Sequence, residues 1–357
     1  MALRHLSGTL MGSRLAFLSL FLLTALPLLI LDPRESHSQS AVQGKWTTIA
    51  VIPLPGSPTR FDYESLDERS GRLYIAHLGE GHLVVFDTKA KMIVSDLPGF
   101  PHAHGVLAVP RIHRVYVTVS PLSRTPGHLA VVDTRSLQTK SLVPTGIHPD
   151  GLDFDPLDHR LFISNEWGQS VSVVDTRTNR AIAEIPLGGE VGNTRYDPIS
   201  KHIFSTVQTK NQLAEIDPKT LRVLHHYPLP GGLHPHGLWI DGIHHIAFIA
   251  CEHNSVLLQF DLDTHTVTQS QPVGKKPDVL TYDPSRHLLF VASESGTVTV
   301  LEERRKTLVK TWQGHMENRA HIILFDPGTQ ELYLPIENKN GHPLLLIMKF
   351  ETTANRH

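Results

Sequence analysis

The sequence predicts an all-β protein, a seven-bladed β-propeller with four-stranded blades. Six apolar runs each end in an acidic residue, and the spacings between those residues are 46, 42, 42, 44 and 41. A period of about 40 residues is typical of propeller blades. The six acidic residues are Asp87, Asp133, Asp175, Asp217, Asp261 and Glu302.

The third repeat shows how one blade is built. Its β-rich runs cover residues 151–155, 160–165, 170–175 and 181–187, and short polar turns separate them. Four short strands within one repeat make one propeller blade. Aspartate suits the end of the third strand because its side chain can accept backbone N–H groups in an Asx-turn.

The last repeat contains only three β-rich runs, at 321–326, 331–336 and 343–350. Its fourth strand is predicted at the other end of the chain, where residues 49–56 resemble the outer strand at 182–189. The N-terminal strand is therefore expected to close the last blade, which leaves no unpaired blade edge. We assign residues 41–350 to the propeller and 351–357 to a C-terminal tail.

Composition limits the classes of function. The chain has 357 residues with 33 Lys plus Arg against 35 Asp plus Glu, so it lacks the basic excess of a nucleic-acid binder. A single Cys excludes an intramolecular disulfide framework and Cys-based zinc or iron–sulfur sites. The unusual feature is 24 His, as many as Phe, Tyr and Trp together.

Residues 1–40 are predicted to form a signal peptide, or an N-terminal anchor, followed by a linker. Arg4 and Arg14 precede an uncharged run from 15 to 31, which is the order of a secretion signal. The run is also at the lower length limit for a membrane span. We therefore expect a periplasmic or extracellular protein, attached to a membrane only if this segment stays uncleaved.

Several strands resemble the YVTN-repeat, or YncE-like, seven-bladed propellers. Residues 116–119 read Tyr-Val-Thr-Val, and residues 161–165 and 170–176 follow the second and third strands of that repeat. The resemblance covers about residues 45–350. It implies the propeller fold, whereas function has to be argued from the site, because propellers host many activities.

The histidines fall into columns when the blades are aligned on their first strands, which line the channel of a propeller. We call the position at the start of this strand the inner-ring position, and the position two residues earlier the turn position. Residues two apart on an extended segment project to the same side, so both positions are expected to face the channel mouth. From blade 1 to blade 7 the inner-ring residues are Asp62, His104, Asp150, Gly192, His236, Asp278 and His321, and the turn residues are Arg60, His102, His148, Glu190, His234, Lys276 and Arg319.

Imidazole and carboxylate groups gathered at one mouth predict a site for a divalent transition metal, with Zn, Cu, Fe or Mn as candidates. The predicted metal ligands are His102, His104, His148, His234, His236 and His321. The predicted ligand-binding residues are Arg60, Asp62, Asp150, Asp278, Arg319 and Glu252. Two alternatives stay open: a metal-free polar pocket, and turns in which His and Asp serve only the backbone.

Other candidates near the mouth are assigned weaker roles. Glu166, Glu252, Glu294 and Glu337 end the second strands of four blades, and we interpret them as ordinary loop residues. Cys251 precedes one of them and is interpreted as a buried, small apolar residue. Six further histidines recur in turns at the other end of the first strands and are assigned no chemistry: His113, His159, His202, His244, His245 and His287.

Three classes of function are compatible with these features. We favour a monomeric binding protein that holds a small molecule or peptide over the mouth, with no nucleic-acid partner. A metal-dependent lyase or hydrolase is the alternative, because residues 235–238 and 100–103 are similar to blade starts of streptogramin-lyase-like propellers. The Trp-Phe-Thr-Glu segment of those enzymes is absent here. The third hypothesis is a structural or surface-layer protein, which is disfavoured because the sequence predicts a single ring without a second domain.

Overall fold

The computed structural model describes residues 44–304 and 306–352. These residues form 28 β-strands in seven four-stranded antiparallel sheets. The sheets stand in a ring as the blades of a β-propeller, which confirms the predicted fold class. Two short 3-10 helices, Pro110–Ile112 and Gln208–Lys210, are the only helical segments of the described residues.

Blades 1 to 6 each take four consecutive strands, with the channel-lining strand first. Blade 1 has β2 (Glu64–Asp67), β3 (Arg72–His77), β4 (His82–Asp87) and β5 (Met92–Pro98), blade 2 has β6 (Ala103–Val109), β7 (Arg114–Val119), β8 (Pro126–Asp133) and β9 (Thr139–Ile147), and blade 3 has β10 (Pro149–Asp155), β11 (Arg160–Asn165), β12 (Ser170–Asp175) and β13 (Arg180–Pro186). Blade 4 has β14 (Val191–Tyr196), β15 (Ile203–Val207), β16 (Gln212–Asp217) and β17 (Arg222–Pro228), blade 5 has β18 (Pro235–Asp241), β19 (Ile246–Cys251), β20 (Val256–Asp261) and β21 (Thr266–Pro272), and blade 6 has β22 (Pro277–Asp283), β23 (Leu288–Ser293), β24 (Thr297–Arg304) and β25 (Thr307–His315).

Blade 7 is built from segments that are distant in the sequence. Its strands, listed from the channel outward, are β26 (Leu324–Asp326), β27 (Glu331–Lys339), β28 (His342–Thr352) and β1 (Gly44–Pro53). Strand β1 pairs antiparallel with β28, from Gly44 opposite Thr352 to Pro53 opposite Leu344. The outer strand of this sheet therefore precedes blade 1 in the sequence.

The first strands are irregular at the end that carries the inner-ring residues. In blades 2 to 6 their pairing with the second strand shifts register there, as between Pro149 and Leu152 of blade 3. In blades 1 and 7 the ladder begins only beyond this point, at Glu64 and Leu324. Strand β26 is therefore shorter than the predicted run 321–326. Such irregularities bend a strand and re-aim its side chains.

The hydrophobic core lies between neighbouring blades. One aromatic side chain from the second strand of every blade is at most 1% exposed. Each removes a large apolar area from water, worth about 25 cal/mol per Å². These residues pack blade against blade and so fix the ends of the first strands around the channel. They are Tyr74, Tyr116, Phe162, Phe204, Phe248, Phe290 and Tyr333.

The predicted Asx-turns are present at the ends of the third strands. Oδ1 of Asp133 accepts hydrogen bonds from the N–H groups of Arg135 and Ser136, both at 3.0 Å. Glu302 of the sixth repeat lies 2.7 Å from Arg304 instead. The same pair of turn bonds is made by Asp87, Asp175, Asp217 and Asp261.

The predicted signal or anchor, residues 1–40, lies outside the described residues, as do residues 353–357 of the predicted tail. Strand β28 extends the last blade to Thr352, into the segment assigned to that tail. Among residues 44–304 and 306–352, no helix has the length and apolar character that a membrane crossing requires.

Candidate functional site

The inner-ring side chains converge at one end of the channel. Six of the seven positions carry a titratable side chain, and blade 4 contributes Gly192. The next residue is Gly105 in blade 2 and Gly237 in blade 5, where a Cβ atom would overlap the carbonyl oxygens of Asp150 and Asp278. Because these glycines have no side chain, neighbouring first strands approach closely and bring the ring residues together.

His104 contacts the carboxylates of blades 1 and 3. Its Nδ1 lies 2.6 Å from Oδ2 of Asp62 and 3.9 Å from Oδ1 of Asp150. Burial works against ionisation of Asp62, but His104 and Arg60 outweigh it and lower the pKa of Asp62 to about 2. Burial also opposes a charged His104, yet the hydrogen bond and charge of Asp62 raise its pKa above the ordinary value. The two residues form a charge-assisted pair.

His236 lies between the other two ring carboxylates. Its Nε2 is 3.4 Å from Oδ1 of Asp278, 3.7 Å from Oδ2 of Asp150 and 3.3 Å from the hydroxyl of Tyr63. Burial opposes a charged imidazole, but Glu252, Asp278 and Asp150 raise the pKa of His236 to about 9. His236 is therefore protonated at neutral pH, and its positive charge lies between the carboxylates of Asp150 and Asp278.

Asp150 and Asp278 behave differently from Asp62. Burial raises the pKa of Asp150 to about 7 and that of Asp278 to about 6, although His236 partly offsets the effect in both. Neither Asp150 nor Asp278 accepts a hydrogen bond as short as the one that His104 donates to Asp62. Buried acids that titrate near neutral pH are typical of functional sites.

Blade 7 supplies an imidazole with a defined tautomer. His321 is 1% exposed. Its Nδ1 donates a hydrogen bond to the backbone carbonyl of Arg319 at 2.8 Å, so Nε2 carries the lone pair. Among the described residues, Nε2 of His321 and Oδ1 of Asp278 are buried without a hydrogen-bond partner. A histidine whose Nδ1–H is held by a carbonyl, with Nε2 left over, is typical of metal-binding sites.

Within the part of the chain that the structure describes, three groups of donor atoms at this end of the blades have spacings suitable for a metal ion, and the third of them is His234, Glu252 and His253. In each group the ligand atoms all lie within 4.8 Å of one another. Carboxylate oxygen and imidazole nitrogen together are suitable ligands for Zn²⁺ and other first-row metals. The first group is Asp62, His104 and Asp150, and the second is Asp278, Glu294 and His321.

A cavity of about 380 Å³ opens at the ring, and its wall includes Trp167 and Leu122. A second cavity of about 350 Å³ continues along the channel between the first strands, with a wall that includes Trp239. Tyr63 lines both cavities, and its hydroxyl accepts a hydrogen bond from Asn193 at 2.7 Å. Volumes of this size accommodate small-molecule ligands.

The turn residues depart from the predicted direction. The prediction required an extended segment, but His102, His148 and His234 have φ values of 53°, 56° and 58°. A left-handed residue turns the chain, so the two imidazoles of a His-x-His pair do not project alike. His234 accordingly lies 3.2 Å from Glu252 and stacks on His253 with ring centroids 3.9 Å apart.

His148 and His102 nevertheless line the mouth cavity. Nδ1 of His148 is 2.8 Å from the hydroxyl of Ser120, and Nε2 is 3.2 Å from Glu166. The ring stacks on Trp167 with centroids 3.8 Å apart. Burial lowers the pKa of His148 to about 4, so this imidazole is neutral at physiological pH.

The two arginines predicted to bind an anionic ligand are paired with carboxylates. Arg60 lies 2.7 Å from Glu294, and Arg319 lies 3.4 Å from Glu337. These glutamates end second strands, as do the partners of His148 and His234 described above. The second-strand glutamates are thus partners of turn residues, a role that their interpretation as ordinary loop residues did not include.

Cys251 is buried, as predicted, with 0% exposure. Burial raises the pKa of its thiol to about 12. A protonated thiol inside the core is not a metal ligand, because thiolate is the coordinating form.

Sequence reasoning missed three residues that shape the mouth: Tyr63, Asn193 and Trp167. Tyr63 and Asn193 occupy the column directly after the inner-ring position, where blades 2, 3 and 5 have Gly105, Gly151 and Gly237. The other blades have glycine or an apolar residue in this column, so the two polar side chains could have been recognised from the sequence as candidate site residues. Trp167 follows Glu166 in the loop after β11, and His253 takes the same position after Glu252 in blade 5, where it stacks on His234 as Trp167 stacks on His148.

Comparisons with known proteins support the fold. No protein-family model matches the sequence, and no curated protein sequence matches it. A chain of Kuenenia stuttgartiensis hydrazine synthase has a TM-score of 0.69 at 14% identity, covering 84% of this chain and 97% of that chain. A chain of a mitotic checkpoint complex has a TM-score of 0.71 at 12% identity, covering 90% of this chain and 98% of that chain. These identities show a shared seven-bladed propeller fold and no more.

Proposed function

We propose that this chain is an exported YVTN/YncE-like binding protein that holds a divalent transition metal ion at its channel mouth. Through that ion and the cavity beside it, the protein binds a small-molecule or peptide ligand. Export to the periplasm or the cell exterior rests on the basic and apolar pattern of residues 1–40.

One observation carries the metal proposal: the inner ring holds buried ligand atoms that make no hydrogen bond to any described residue, although one of them, Oδ1 of Asp278, lies 3.4 Å from Nε2 of His236. Oδ1 of Asp278 and Nε2 of His321 have no hydrogen bond among the described residues. Burying a polar group without a partner is costly, so such atoms are expected where a ligand completes the site. A role of His and Asp in stabilising turns does not by itself account for these two atoms.

The ring residues fit a metal with the ligand preferences of zinc. His104 with Asp62 and Asp150, or His321 with Asp278 and Glu294, are the groups that would hold it, and His236 lies beside both groups through Asp150 and Asp278. A bound ion would supply a positive charge that compensates these carboxylates, and an open coordination position for an anionic ligand group. Trp167 and the neutral His148 would offer an apolar and stacking surface beside it.

Metal analysis of the full chain, purified without a His tag, tests the proposal. We expect Zn²⁺ to bind on addition, and His104→Ala and His236→Ala each to lower the bound metal or weaken binding by at least tenfold. His226→Ala is the matched control, because His226 is exposed on the outer strand β17. Unchanged metal content in both mouth variants would overturn the proposal.

A metal-dependent lyase or hydrolase is the second candidate, and the titration of Asp150 favours it. An acid with a pKa of about 7 inside a ligand-sized cavity has the properties of a general acid or base. The test is turnover of a streptogramin by the Zn²⁺-loaded chain, compared with its Asp150→Asn variant. Turnover by the wild-type chain would establish an enzyme, its loss in Asp150→Asn at unchanged Zn²⁺ content would assign Asp150 the acid–base role, and no turnover by either protein would overturn the streptogramin-lyase-like alternative.

A further inference from the structure

A second cluster of histidines and carboxylates lies at the end of the blades opposite the mouth. It consists of Asp241, His244, His287 and Glu303, here called the lower cluster. Asp241 ends β18 of blade 5, and His244 follows it in the turn. His287 occupies the corresponding turn of blade 6, and Glu303 lies in β24. Ligand atoms of His244, His287 and Glu303 all lie within 4.8 Å of one another.

Each carboxylate of the lower cluster has one oxygen fixed by the fold. Oδ1 of Asp241 accepts a hydrogen bond from the N–H of Ile243 at 2.8 Å. Oε2 of Glu303 accepts one from the hydroxyl of Tyr282, also at 2.8 Å. The second oxygens of both acids face the same imidazole, because Nδ1 of His244 lies 2.7 Å from Asp241 and 3.2 Å from Glu303.

The second oxygen of Glu303 is the observation that points to a ligand. The Glu303 side chain is 1% exposed, and among the described residues its Oε1 makes no well-aligned hydrogen bond, its contact being the 3.2 Å ion pair with His244, whose pKa is raised by Asp241 and Glu303. Burial and the nearby Asp241 raise the pKa of Glu303. Two buried carboxylates therefore share one partly exposed imidazole, an arrangement in which a cation would relieve both the desolvation and the mutual repulsion.

The imidazoles provide an accessible side for such a cation. His287 is exposed, with its Nδ1 3.3 Å from the hydroxyl of Tyr282, and its ring centroid is 5.6 Å from that of His244. An ion can therefore reach the buried carboxylates from solvent past the two rings.

We propose that Asp241, His244, His287 and Glu303 form a second binding site for a divalent transition metal ion. Two imidazoles with two carboxylates are a ligand set that Zn²⁺ accepts in tetrahedral sites. The site bridges blades 5 and 6 at the face opposite the mouth, so a bound ion would also link these blades. It does not depend on a metal at the inner ring.

Calorimetric titration of the untagged full chain with Zn²⁺ tests the lower cluster. The variants are His287→Ala, which changes an exposed side chain, and Glu303→Gln, which keeps the shape of the buried one. We expect each to lose one equivalent of Zn²⁺, or to bind that equivalent at least tenfold more weakly. His159→Ala is the matched control, because His159 has the same backbone conformation in blade 3, with φ of 57°.

The two metal sites are separated by repeating the titration in a His236→Ala background. Loss of the remaining equivalent on adding His287→Ala supports the lower cluster, whether or not the mouth binds metal. If His287→Ala and Glu303→Gln both keep the wild-type stoichiometry and affinity, the lower cluster is an ion pair of protonated His244 and the proposal is overturned. Melting without Zn²⁺ shows whether each variant is folded before its titration is read.

Discussion

At the channel mouth and at the opposite face, the propeller places aspartates at strand ends with different consequences. Asp150 and Asp278 are buried at the mouth, and burial raises the pKa of these acids to about 7 and about 6. Asp133 at the opposite face accepts the backbone N–H groups of Ser136 and Arg135, which lower its pKa to about 2. The backbone therefore supplies hydrogen bonds to the aspartate carboxylate at the opposite face, whereas the aspartate carboxylates at the mouth have lost hydration without comparable hydrogen bonds in return.

The difference separates aspartates that stabilise the fold from those that oppose it. A turn aspartate replaces water with backbone N–H donors, whereas a buried acid without a partner has lost its hydration. Sequences depart from local consistency mainly at functional or strained sites. The mouth is such a departure, repeated in several blades, which is why we place the function there.

Gly237→Ala should produce the largest change, because it disturbs the approach of the first strands that forms the mouth. A Cβ atom at Gly237 would overlap the backbone carbonyl of Asp278, and neither strand can yield without moving the ring. We expect a loss of about 3 kcal/mol or more in the free energy of unfolding, measured by urea titration.

Gly328→Ala is the control for that experiment. A Cβ atom at Gly328, on the opposite face, has its nearest contact at 3.2 Å, with Oδ1 of Asp326. Its loss should stay below about 1 kcal/mol. Equal losses in the two variants would show that close strand approach at the mouth is not special.

Asp278→Asn should stabilise the metal-free protein at pH 7. Burial raises the pKa of Asp278 from 3.8 to about 6, so its ionisation opposes folding as the pH rises through that interval. Removing the charge should therefore raise the free energy of unfolding by about 1–3 kcal/mol at pH 7, and by much less near pH 4. Thermal melting in a chelator across this pH range measures the difference.

The counterpart at the opposite face is Asp217→Asn. Oδ1 of Asp217 accepts the N–H groups of Lys219 and Thr220, and the pKa of Asp217 is lowered because these bonds and that of the Thr220 hydroxyl outweigh burial. This variant should be neutral or slightly destabilising at pH 7. A stabilisation as large as that of Asp278→Asn would erase the contrast between the two ends.

The fold was predictable because the repeat carries it. The third-strand aspartates and the apolar runs before them recur in the sequence, and the structure confirms seven four-stranded blades with Asx-turns at Asp133 and its equivalents. The shortened β26 was not predictable, because run length in a sequence does not show where a ladder loses register.

The site was predictable as a column but not as a geometry. Alignment identified the inner-ring residues, and the structure brings those side chains to one mouth. The alignment did not reveal the left-handed backbone at His234, because a histidine before Pro235 is compatible with several turn conformations. The lower cluster was missed because His244 and His287 come from different blades, and only packing brings them to Glu303.

Asp133→Asn should have the smallest effect, and its pH dependence should run opposite to that of Asp278→Asn. The Asn oxygen still accepts the turn N–H bonds, so the variant loses only the charge and its 2.8 Å pairing with Arg114. The pKa of Asp133 is about 2 in the folded chain and about 4 when unfolded, so its charge stabilises the fold above that interval. That contribution is lost as the pH falls through it. The variant should melt slightly below the wild type at pH 7, and the gap should close as the pH falls from about 4 towards 2. A gap that widens on acidification would mean that the backbone of this turn does not hold the carboxylate in its ionised form.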